Sequence, residues 1–318
     1  MYNITDLKKR RVKMRIFKHR GDIYVSTSRV KSDLEQKILL AALAFIVVFT
    51  AVFLIIFGVR YDFSFKAFIT PDDLIDENNE IIEQLPEVQG KTNYLLLMSN
   101  ENTQELYVCT LLQVDMDTVS YKACTLDPKT AENGVSLADT YISMGAAGVS
   151  NSLSHLFGIE IDYYADFNYT DYESFFDYLG SVNYTVLSDV RYKDTSRYGY
   201  NIRVSEGNQS IDGDTAVKLM RYYVSQENNY SAVNDIVLSA VSQHINAQNY
   251  ENRERAFSRF IEYTSTNITV RDFTAQQDNL AVLSSDTTGV NVYSVPVVYD
   301  GTNVISESVT DVLGYFSK

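Results

Sequence analysis

The stretch from Ile38 to Val59 constrains the chain most, because its 22 residues, ILLAALAFIVVFTAVFLIIFGV, include no charged side chain. As an α-helix it would be about 33 Å long, which is enough to cross a bilayer. The run ends in large residues and lacks a small-residue cleavage site, which argues against a removable signal peptide. We therefore predict one transmembrane helix at residues 38–59.

Charge is distributed unevenly around this helix. Residues 1–37 hold 11 Lys/Arg and 4 Asp/Glu, a net of +7, and since the whole chain carries −14, residues 38–318 carry −21. Basic flanks stay in the cytoplasm, so we predict a single-pass protein of the cell membrane with a cytoplasmic tail at 1–37 and an extracellular C-terminal part. The basic run from Lys8 to Arg20 either only directs this topology or also binds anionic lipid. A part as acidic as 38–318 argues against nucleic acid as a partner.

Beyond the predicted span, hydrophobic patterns indicate alternating strands and helices. Residues 60–91 are interpreted as an extracellular connector, with a helix from Thr70 to about Leu85. Short apolar runs predict strands, and apolar residues at i, i+3 and i+4 predict helices. The strands fall at 93–99, 106–114, 119–126 and 163–167, and the helices at 135–159, after a cap at Asp171, and at 233–245.

The turn at residues 115–118 sets an expectation for the two cysteines. If the hairpin around it is symmetric, residues whose numbers sum to 233 face each other, so Val114 meets Val119 and Cys109 meets Cys124. In an oxidising exterior the thiols would then form a disulfide that closes a loop of about 15 residues. The alternative is two buried free thiols.

The stretch from Glu206 to Tyr223, EGNQSIDGDTAVKLMRYY, predicts a turn followed by a short helix. Asp212 is a favourable N-cap, because its carboxylate accepts from the first free backbone N–H groups. Ala216, Leu219 and Met220 recur at helical spacing and would anchor one face in a core. The helix would therefore hold Arg221 at a fixed place.

This stretch resembles a signature of the LytR-CpsA-Psr family, whose members show Gly-x-x-x-Leu-Asp-Gly-x-x-Ala-Leu and then Arg-x-Arg. Tyr223 stands where the family has its second arginine. A second similarity covers residues 160–180. The residues that match the signature are Gly207, Ile211, Asp212, Gly213, Ala216, Val217 and Arg221.

The resemblance implies a three-layer α/β/α domain with a central mixed β-sheet at 92–300, followed by a C-terminal tail at 301–318. It also implies a role in cell-wall assembly: transfer of a lipid-pyrophosphate-linked glycopolymer to peptidoglycan, with the lipid in an apolar cavity. The partners would be the membrane and a polyprenyl-phosphate-linked glycan or peptidoglycan. Mg²⁺ would be the cofactor if this activity is retained.

Most of the charged residues that the family uses are replaced in this chain. The Ser-Ile-Pro-Arg-Asp run aligns with residues 125–129, which leaves Lys129 as a phosphate-binding candidate and Asp127 as an acid candidate. The run with two further arginines aligns with 229–236, where Ala232 and Asp235 stand instead. Only Arg221 keeps its type, either as the remaining phosphate ligand or as a structural arginine paired with a nearby acid.

Two function classes therefore remain open. One is an active glycopolymer transferase, and the other is a catalytically degenerate family member that binds polyprenyl lipid, glycan or a protein. A transcriptional regulator is disfavoured, because no helix-turn-helix is visible and the folded part is expected outside the cell. His155 and His244 lie in predicted helices without the context of a hydrolase triad, so the catalytic residues are unknown. The tyrosines at 161–200 form either a sugar-stacking surface or a mixture of core and exposed aromatics.

Overall fold

The computed structural model describes residues 85–285 and 289–317. The predicted cytoplasmic tail at 1–37, the predicted span at 38–59 and the predicted connector helix, which would end at about residue 85, lie outside these residues. Within the described ranges, no helix is both long enough and apolar enough to span a membrane. The fold described below is that of the C-terminal part.

Six strands form a mixed central sheet in the order β11-β6-β1-β2-β3-β12. β1 runs parallel to β6, and β3 runs parallel to β12, while the other neighbours are antiparallel. The mixed sheet confirms the predicted α/β class. The strands are β1 (Lys91–Ser99), β2 (Leu106–Asp115), β3 (Ser120–Thr125), β6 (Tyr163–Asn168), β11 (Ser265–Thr266) and β12 (Asn291–Ser294).

Pairs of shorter strands are attached to this sheet. They form four two-stranded ladders, in which β4 pairs with β5, β7 with β10, β8 with β9, and β13 with β14. Their bounds are β4 (Ala131–Glu132), β5 (Val135–Ser136), β7 (Val182–Val186), β8 (Val190–Lys193), β9 (Asn201–Val204), β10 (Gly207–Ile211), β13 (Tyr299–Asp300) and β14 (Asn303–Val304).

Helices cover both faces of the sheet. Successive side chains of a strand point to opposite faces, so neighbouring residues of β1 contact different helices. Leu95 and Leu97 pack against α1 and α9, whereas Leu96 and Met98 face the cluster that contains α2, α3 and α4. The described domain therefore has three layers. The helices are α1 (Leu137–Phe157), α2 (Tyr169–Leu179), α3 (Gly213–Tyr222), α4 (Tyr230–His244), α5 (Ala247–Glu251), α6 (Arg253–Tyr263), α7 (Val270–Ala275), α8 (Gln277–Leu283) and α9 (Ser306–Phe316).

The helix boundaries follow local capping chemistry. The Asp212 carboxylate accepts from the Thr215 N–H at 2.9 Å, which confirms the predicted start of α3. The predicted cap at Asp171 is wrong: Asn168 caps α2, and its side-chain oxygen accepts from the Asp171 N–H at 2.9 Å. The asparagine is favoured as the cap because it directly follows the strand, and Asp171 then lies in the positive first turn.

The hairpin between β2 and β3 does not have the predicted register. Asp115 pairs with Ser120 and Leu111 pairs with Cys124, so facing positions sum to 235, not 233. The Asp115 carboxylate accepts from the backbone N–H groups of Asp117 and Thr118, which builds a turn of four residues. The expectation that Val114 meets Val119 is therefore wrong.

The new register separates the two cysteines. Cys109 and Cys124 lie on the same face of the sheet but at diagonal positions, and both are buried free thiols. Diagonal neighbours are about 7–8 Å apart, whereas a disulfide needs Cα atoms within about 4.4–6.8 Å of each other. Of the two alternatives, the structure contains the free thiols.

The segment expected as a C-terminal tail folds onto the sheet. α9 buries Val312 and Phe316 completely against the face that carries Leu95 and Leu97. Buried polar side chains bind its last carbonyl groups: Asn93 and Gln113 each donate to the Phe316 oxygen, at 3.2 and 3.0 Å. Residues 306–316 are thus part of the domain.

Candidate functional site

The carboxyl ends of four strands define one edge of the sheet. β1, β3, β6 and β12 all run in the same direction, so their last residues, Ser99, Thr125, Asn168 and Ser294, lie along this edge. Ligands of α/β proteins usually bind outside the carboxyl ends of such strands. We call this the carboxyl edge.

All three charged candidates lie at the carboxyl edge. Asp127 and Lys129 follow the end of β3 directly, and Arg221 contacts Tyr107 at the start of the antiparallel β2. The Lys129 N–H donates to the Asp127 carboxylate at 2.8 Å. No hydrogen bond or ion pair among the described residues joins Arg221 to either of them. The structure therefore places the three candidates at one edge of the sheet but does not join them in a single charged cluster.

Arg221 is enclosed by tyrosine rings. Its side chain is only 8% exposed, and the guanidinium carbon lies 4.2 Å from the Tyr200 ring centroid, 4.4 Å from Tyr169 and 5.4 Å from Tyr107. Rings of this kind attract a cation through their quadrupole. We call Tyr107, Tyr169 and Tyr200 the tyrosine cage. It was not predicted, because its members come from three separate elements.

The polar atoms of Arg221 are only partly satisfied. Nη2 donates to the Tyr198 carbonyl at 3.4 Å, and the buried Nε–H has no partner among the described residues. Among residues 85–285 and 289–317, no carboxylate lies within ion-pair distance of the Arg221 guanidinium. The acid partner of the structural alternative is therefore absent from these residues. Leaving a buried N–H without an acceptor costs free energy, and most buried polar groups in proteins do have a partner. The guanidinium therefore has room in its hydrogen bonding for an anion.

The tyrosine cage carries no negative charge at neutral pH. Burial raises the pKa of Tyr200 to about 12. Burial, together with a 2.6 Å hydrogen bond to Glu105, also raises the pKa of Tyr107 to about 12. Burial moves the pKa of Tyr169 upward as well. The three rings therefore add no charge of their own to that of the guanidinium, and an acid, Glu105, accepts from one of them, Tyr107.

The loop after β3 holds the acid candidate in place. The Asp127 N–H donates to the Tyr299 hydroxyl at 2.9 Å. Burial and a hydrogen bond with the Asp127 carboxylate both raise the pKa of Tyr230. Asp127 is half-buried, whereas Lys129 is exposed. Lys129 is thus free to reach an anion, but nothing in the fold pre-positions its amine.

The two replaced arginine positions lie on α4. Ala232 is 1% exposed and packs in the core, and burial raises the pKa of the half-buried Asp235. Next to them, the buried Asn234 accepts from the Thr125 N–H at 2.6 Å and donates to the Val295 carbonyl at 3.2 Å. This face of α4 therefore fastens the helix to the sheet and supplies no cation.

A polar cavity of about 370 Å³ lies at the ends of β1, β6 and β11. In it, the Tyr141 hydroxyl lies 3.0 Å from Ser99 Oγ and 3.0 Å from both carboxylate oxygens of Asp166. Burial raises the pKa of Asp166 to about 6, although the Tyr141 hydrogen bond opposes this shift. Sequence patterns gave no signal for this cluster, because Tyr141 and Asp166 meet only through the sheet.

An apolar cavity lies on the sheet face that carries Leu96. It has three adjoining lobes of about 190, 290 and 330 Å³, and Phe260 lines all of them. Phe175 and His244 are shared by the first two lobes, and Tyr94 and Leu112 by the second and third. Cavities of this size and lining bind apolar ligands. α2 connects the cavity to the carboxyl edge, because Tyr169 touches Arg221 and Tyr172, one turn later, lines the second lobe.

The tyrosines at 161–200 do not form one surface. Tyr169, Tyr172, Tyr184 and Tyr200 are buried, whereas Tyr178 and Tyr198 are 39% and 38% exposed. They are the mixture of core and exposed aromatics, which was the second alternative.

A preformed metal site is not found among the described residues. Mg²⁺ prefers carboxylate oxygens with near-octahedral geometry. In 85–285 and 289–317, no three His, Cys, Asp or Glu side chains are grouped so that they could hold a metal ion. At the carboxyl edge, the Asp127 carboxylate accepts from the Lys129 N–H at 2.8 Å and keeps further lone pairs, so it is a carboxylate that would hold Mg²⁺ together with a bound phosphate.

Comparisons with known proteins agree with this architecture. The model of the LytR_cpsA_psr family matches residues 110–314. No curated protein matches the sequence. Among solved structures, a Eubacterium siraeum protein described as a transcription regulator is 16% identical, with a TM-score of 0.62 over 76% of this chain and 95% of that one.

Two further solved structures share the fold. TagV of B. subtilis is 13% identical, with a TM-score of 0.57 over 72% of this chain and 97% of its own. TagT bound to LI-WTA is 12% identical, with a TM-score of 0.54 over 74% and 94%. At these identities the likeness concerns the fold alone.

Proposed function

The chain belongs to the LytR-CpsA-Psr family, and from this membership we propose that it is a membrane-anchored protein of cell-envelope assembly that binds a polyprenyl-phosphate-linked glycan. The lipid tail would occupy the apolar cavity, and the phosphate would lie at Arg221. Glycan transfer by this chain would be slow or absent.

One observation carries the proposal: a large apolar cavity lies one helical turn from a buried, incompletely hydrogen-bonded cation. Tyr172 lines the cavity and Tyr169 contacts the guanidinium of Arg221. Along α2, a cation is thus followed by an apolar cavity. An amphiphile with an anionic head group and an apolar chain matches this order. The complex of TagT with LI-WTA supports a ligand of this class for a protein of this fold.

Arg221 can contribute a strong contact but cannot replace a full set of cations. A hydrogen bond to a charged group is worth about 1.5–3 kcal/mol, and arginine can bind phosphate with two parallel bonds. Phosphoryl transfer, however, spreads negative charge over the transferring group and needs several cations around it. Lys129 is exposed and Ala232 is apolar, so we infer that ground-state binding persists and that the chemical step does not.

Active transfer to a peptidoglycan hydroxyl is the second candidate. Asp127, Lys129 and Arg221 lie at a common edge of the sheet, which favours this candidate. The resemblance of the chain to the family also implies this reaction. Robust turnover of a lipid-pyrophosphate-linked glycan by the full chain, lost in Arg221→Met, would favour this candidate over the binding protein.

The binding proposal is tested by extracting lipid from the full chain after purification from membranes. We expect mass spectrometry to detect an isoprenoid phosphate in the wild type and much less in Arg221→Met. Arg203→Met is the matched control, because it removes an exposed arginine on β9 nearby in the chain. If none of the three proteins carries or takes up an isoprenoid phosphate, the proposal is wrong.

Anchoring is tested separately. A reporter fused after Lys318 should be exported if residues 38–59 span the membrane with the N-terminus inside. A cytoplasmic reporter would contradict the proposed topology.

A further inference from the structure

The apolar cavity has a second, polar mouth far from the carboxyl edge. α2 and α4 start at that edge with Tyr169 and Tyr230, and their last residues, Leu179 and His244, line the first lobe. The first lobe therefore lies at the end of these helices opposite the carboxyl edge. Its rim is formed by α5 and the start of α6.

Arg253 lies at the boundary between the apolar cavity and a polar one. It lines the first lobe, where its neighbours include Phe257 and Leu280. It also lines a polar surface cavity of about 450 Å³ formed by residues 251–255. Neither Arg221 nor Lys129 lines any lobe of the apolar cavity. The cation at a cavity mouth is therefore Arg253.

The guanidinium of Arg253 is held by two contacts, and it still has an N–H group that donates to no described residue. Its carbon lies 4.3 Å from the Tyr250 ring centroid, and Nη1 donates to the Tyr250 carbonyl at 3.0 Å. The buried Nε–H has no partner, and no carboxylate lies within ion-pair distance, among residues 85–285 and 289–317. The Arg253 Nε–H can therefore donate to one further acceptor.

The neighbouring polar side chains do not supply that acceptor. The side-chain oxygen of Asn246, which lines the same lobe, accepts from the Asn249 N–H at 2.9 Å, and among the described residues no hydrogen bond joins an oxygen of Asn246 or Asn249 to Arg253. Glu251 and Glu254 balance Arg253 and Arg255 in charge. A head group with a low negative charge therefore suits this mouth better than a polyanion.

We propose that the α5–α6 mouth binds a single-chain anionic amphiphile, with its alkyl chain in the apolar lobes and its carboxylate or phosphate monoester on the guanidinium of Arg253. An apolar lobe that meets a half-buried cation is the arrangement that such a molecule requires. The inference depends only on the cavity, and it holds whether or not Arg221 binds a phosphate. Because the lobes are shared, this ligand competes with any lipid that enters from the carboxyl edge.

The test uses the full chain in phosphatidylcholine nanodiscs and dodecyl phosphate that carries a diazirine at its chain end. Because the head group lies on Arg253 in the first lobe, the chain end reaches the lobes beyond it, and after photolysis labelled peptides should come from α4, α6 and α8. Unlabelled dodecyl phosphate, dodecanoate and dodecanol then compete. We expect dodecyl phosphate, dodecanoate or both to compete about tenfold better than dodecanol, and the ratio of the two anions distinguishes a lipid phosphate from a fatty acid as the source.

Four variants separate the Arg253 contact from other effects. Arg253→Met keeps much of the stem and should raise the half-competing anion concentration about ten- to a hundredfold, whereas Arg253→Lys should recover part of this loss. Arg255→Met removes an equal charge from an exposed position two residues away and should change it less than about twofold. In Arg221→Met the half-competing concentration should not rise, because that change can only weaken a lipid that enters from the carboxyl edge and competes for the same lobes.

Several results would overturn the proposal. These are equal competition by dodecanol, equal effects of Arg253→Met and Arg255→Met, loss of labelling in Arg221→Met but not in Arg253→Met, or no labelling of the cavity. Circular dichroism of each variant identifies an unfolded protein, and Arg253→Lys decides the matter if Arg253→Met does not fold.

Discussion

The guanidinium carbon of Arg221 lies 4.4 Å from the centre of the Tyr169 ring, while the hydroxyl of the same tyrosine is buried without a partner among the described residues. The ring and the hydroxyl of Tyr169 therefore act in opposite directions on stability. The ring stabilises a buried cation. The hydroxyl is removed from water on folding without forming a hydrogen bond to a described residue, which costs free energy.

Substitutions at Tyr169 should separate these two contributions. Tyr169→Phe keeps a ring over Arg221 and removes the unpaired hydroxyl, so we expect it to be neutral or to stabilise by up to about 1 kcal/mol. Tyr169→Leu removes the ring and should destabilise by about 1–3 kcal/mol. Urea unfolding of both variants measures the difference. A Phe variant that is as unstable as the Leu variant would mean that the hydroxyl has a partner after all.

Gly213 permits close contact between α2 and α3. A Cβ atom at this position would lie 2.4 Å from the Glu173 carbonyl oxygen, and that oxygen belongs to the backbone of a helix, which cannot move aside. We expect Gly213→Ala to destabilise by about 1–3 kcal/mol through overpacking. It should also shift Arg221, which lies two turns further along α3, and so weaken lipid binding.

The matched control is Gly314→Ala in α9. Gly314 is exposed, and a Cβ atom there meets nothing within 4 Å. Because alanine is the better helix former, this variant should gain about 1 kcal/mol. Thermal unfolding of the two variants should therefore move in opposite directions. The same sign for both would exclude steric contact as the reason for the glycine at position 213.

The two thiols should be inert in the folded protein. Burial raises the pKa of Cys124 to about 12, and burial also moves the pKa of Cys109 upward. Since the thiolate is the reactive form, we expect a thiol reagent to modify neither cysteine until urea unfolds the chain, and then to modify both. Mass mapping without reductant that finds Cys109 linked to Cys124 would contradict the register of this hairpin.

The sequence indicates local structure more reliably than it indicates contacts between distant elements. The start of α3 could be predicted because Asp212, its cap, and the helix that it caps are adjacent in the chain. The hairpin register could not, because it depends on how the Asp115 carboxylate shapes its own turn. A shift of two residues leaves every side chain on its predicted face, so the hydrophobic pattern does not reveal the error.

The candidate site shows the same limit. Arg221 could be identified from the motif around it, but Tyr107, Tyr169 and Tyr200 come from a strand, a helix start and a loop that meet only through the sheet. A chain with 24 tyrosines offers no local signal for these three. Similarly, nothing near Arg253 in the sequence indicates that it lines an apolar cavity.

Asp166 gives the fold a pH dependence whose sign can be worked out. Burial raises the pKa of its carboxyl to about 6 in the folded chain, against about 3.9 for an ordinary aspartate in an unfolded chain. The folded state therefore binds this proton more tightly, and the group favours folding most below about pH 4. That contribution is lost as the pH rises through about 6.

Asp166→Asn should abolish this dependence, because the amide oxygen can still accept from Tyr141 but cannot ionise. The variant should be about 1–3 kcal/mol more stable than the wild type at pH 7.5, which is the free energy that corresponds to a shift of this size in a partly exposed group. The advantage should shrink toward pH 4, where the wild-type carboxyl is protonated. Asp311→Asn, at an exposed position on α9, is the control and should differ little from the wild type at either pH. Denaturant unfolding at several pH values checks this. A gap between Asp166→Asn and wild type that does not change with pH would show that folding leaves the pKa of Asp166 unshifted.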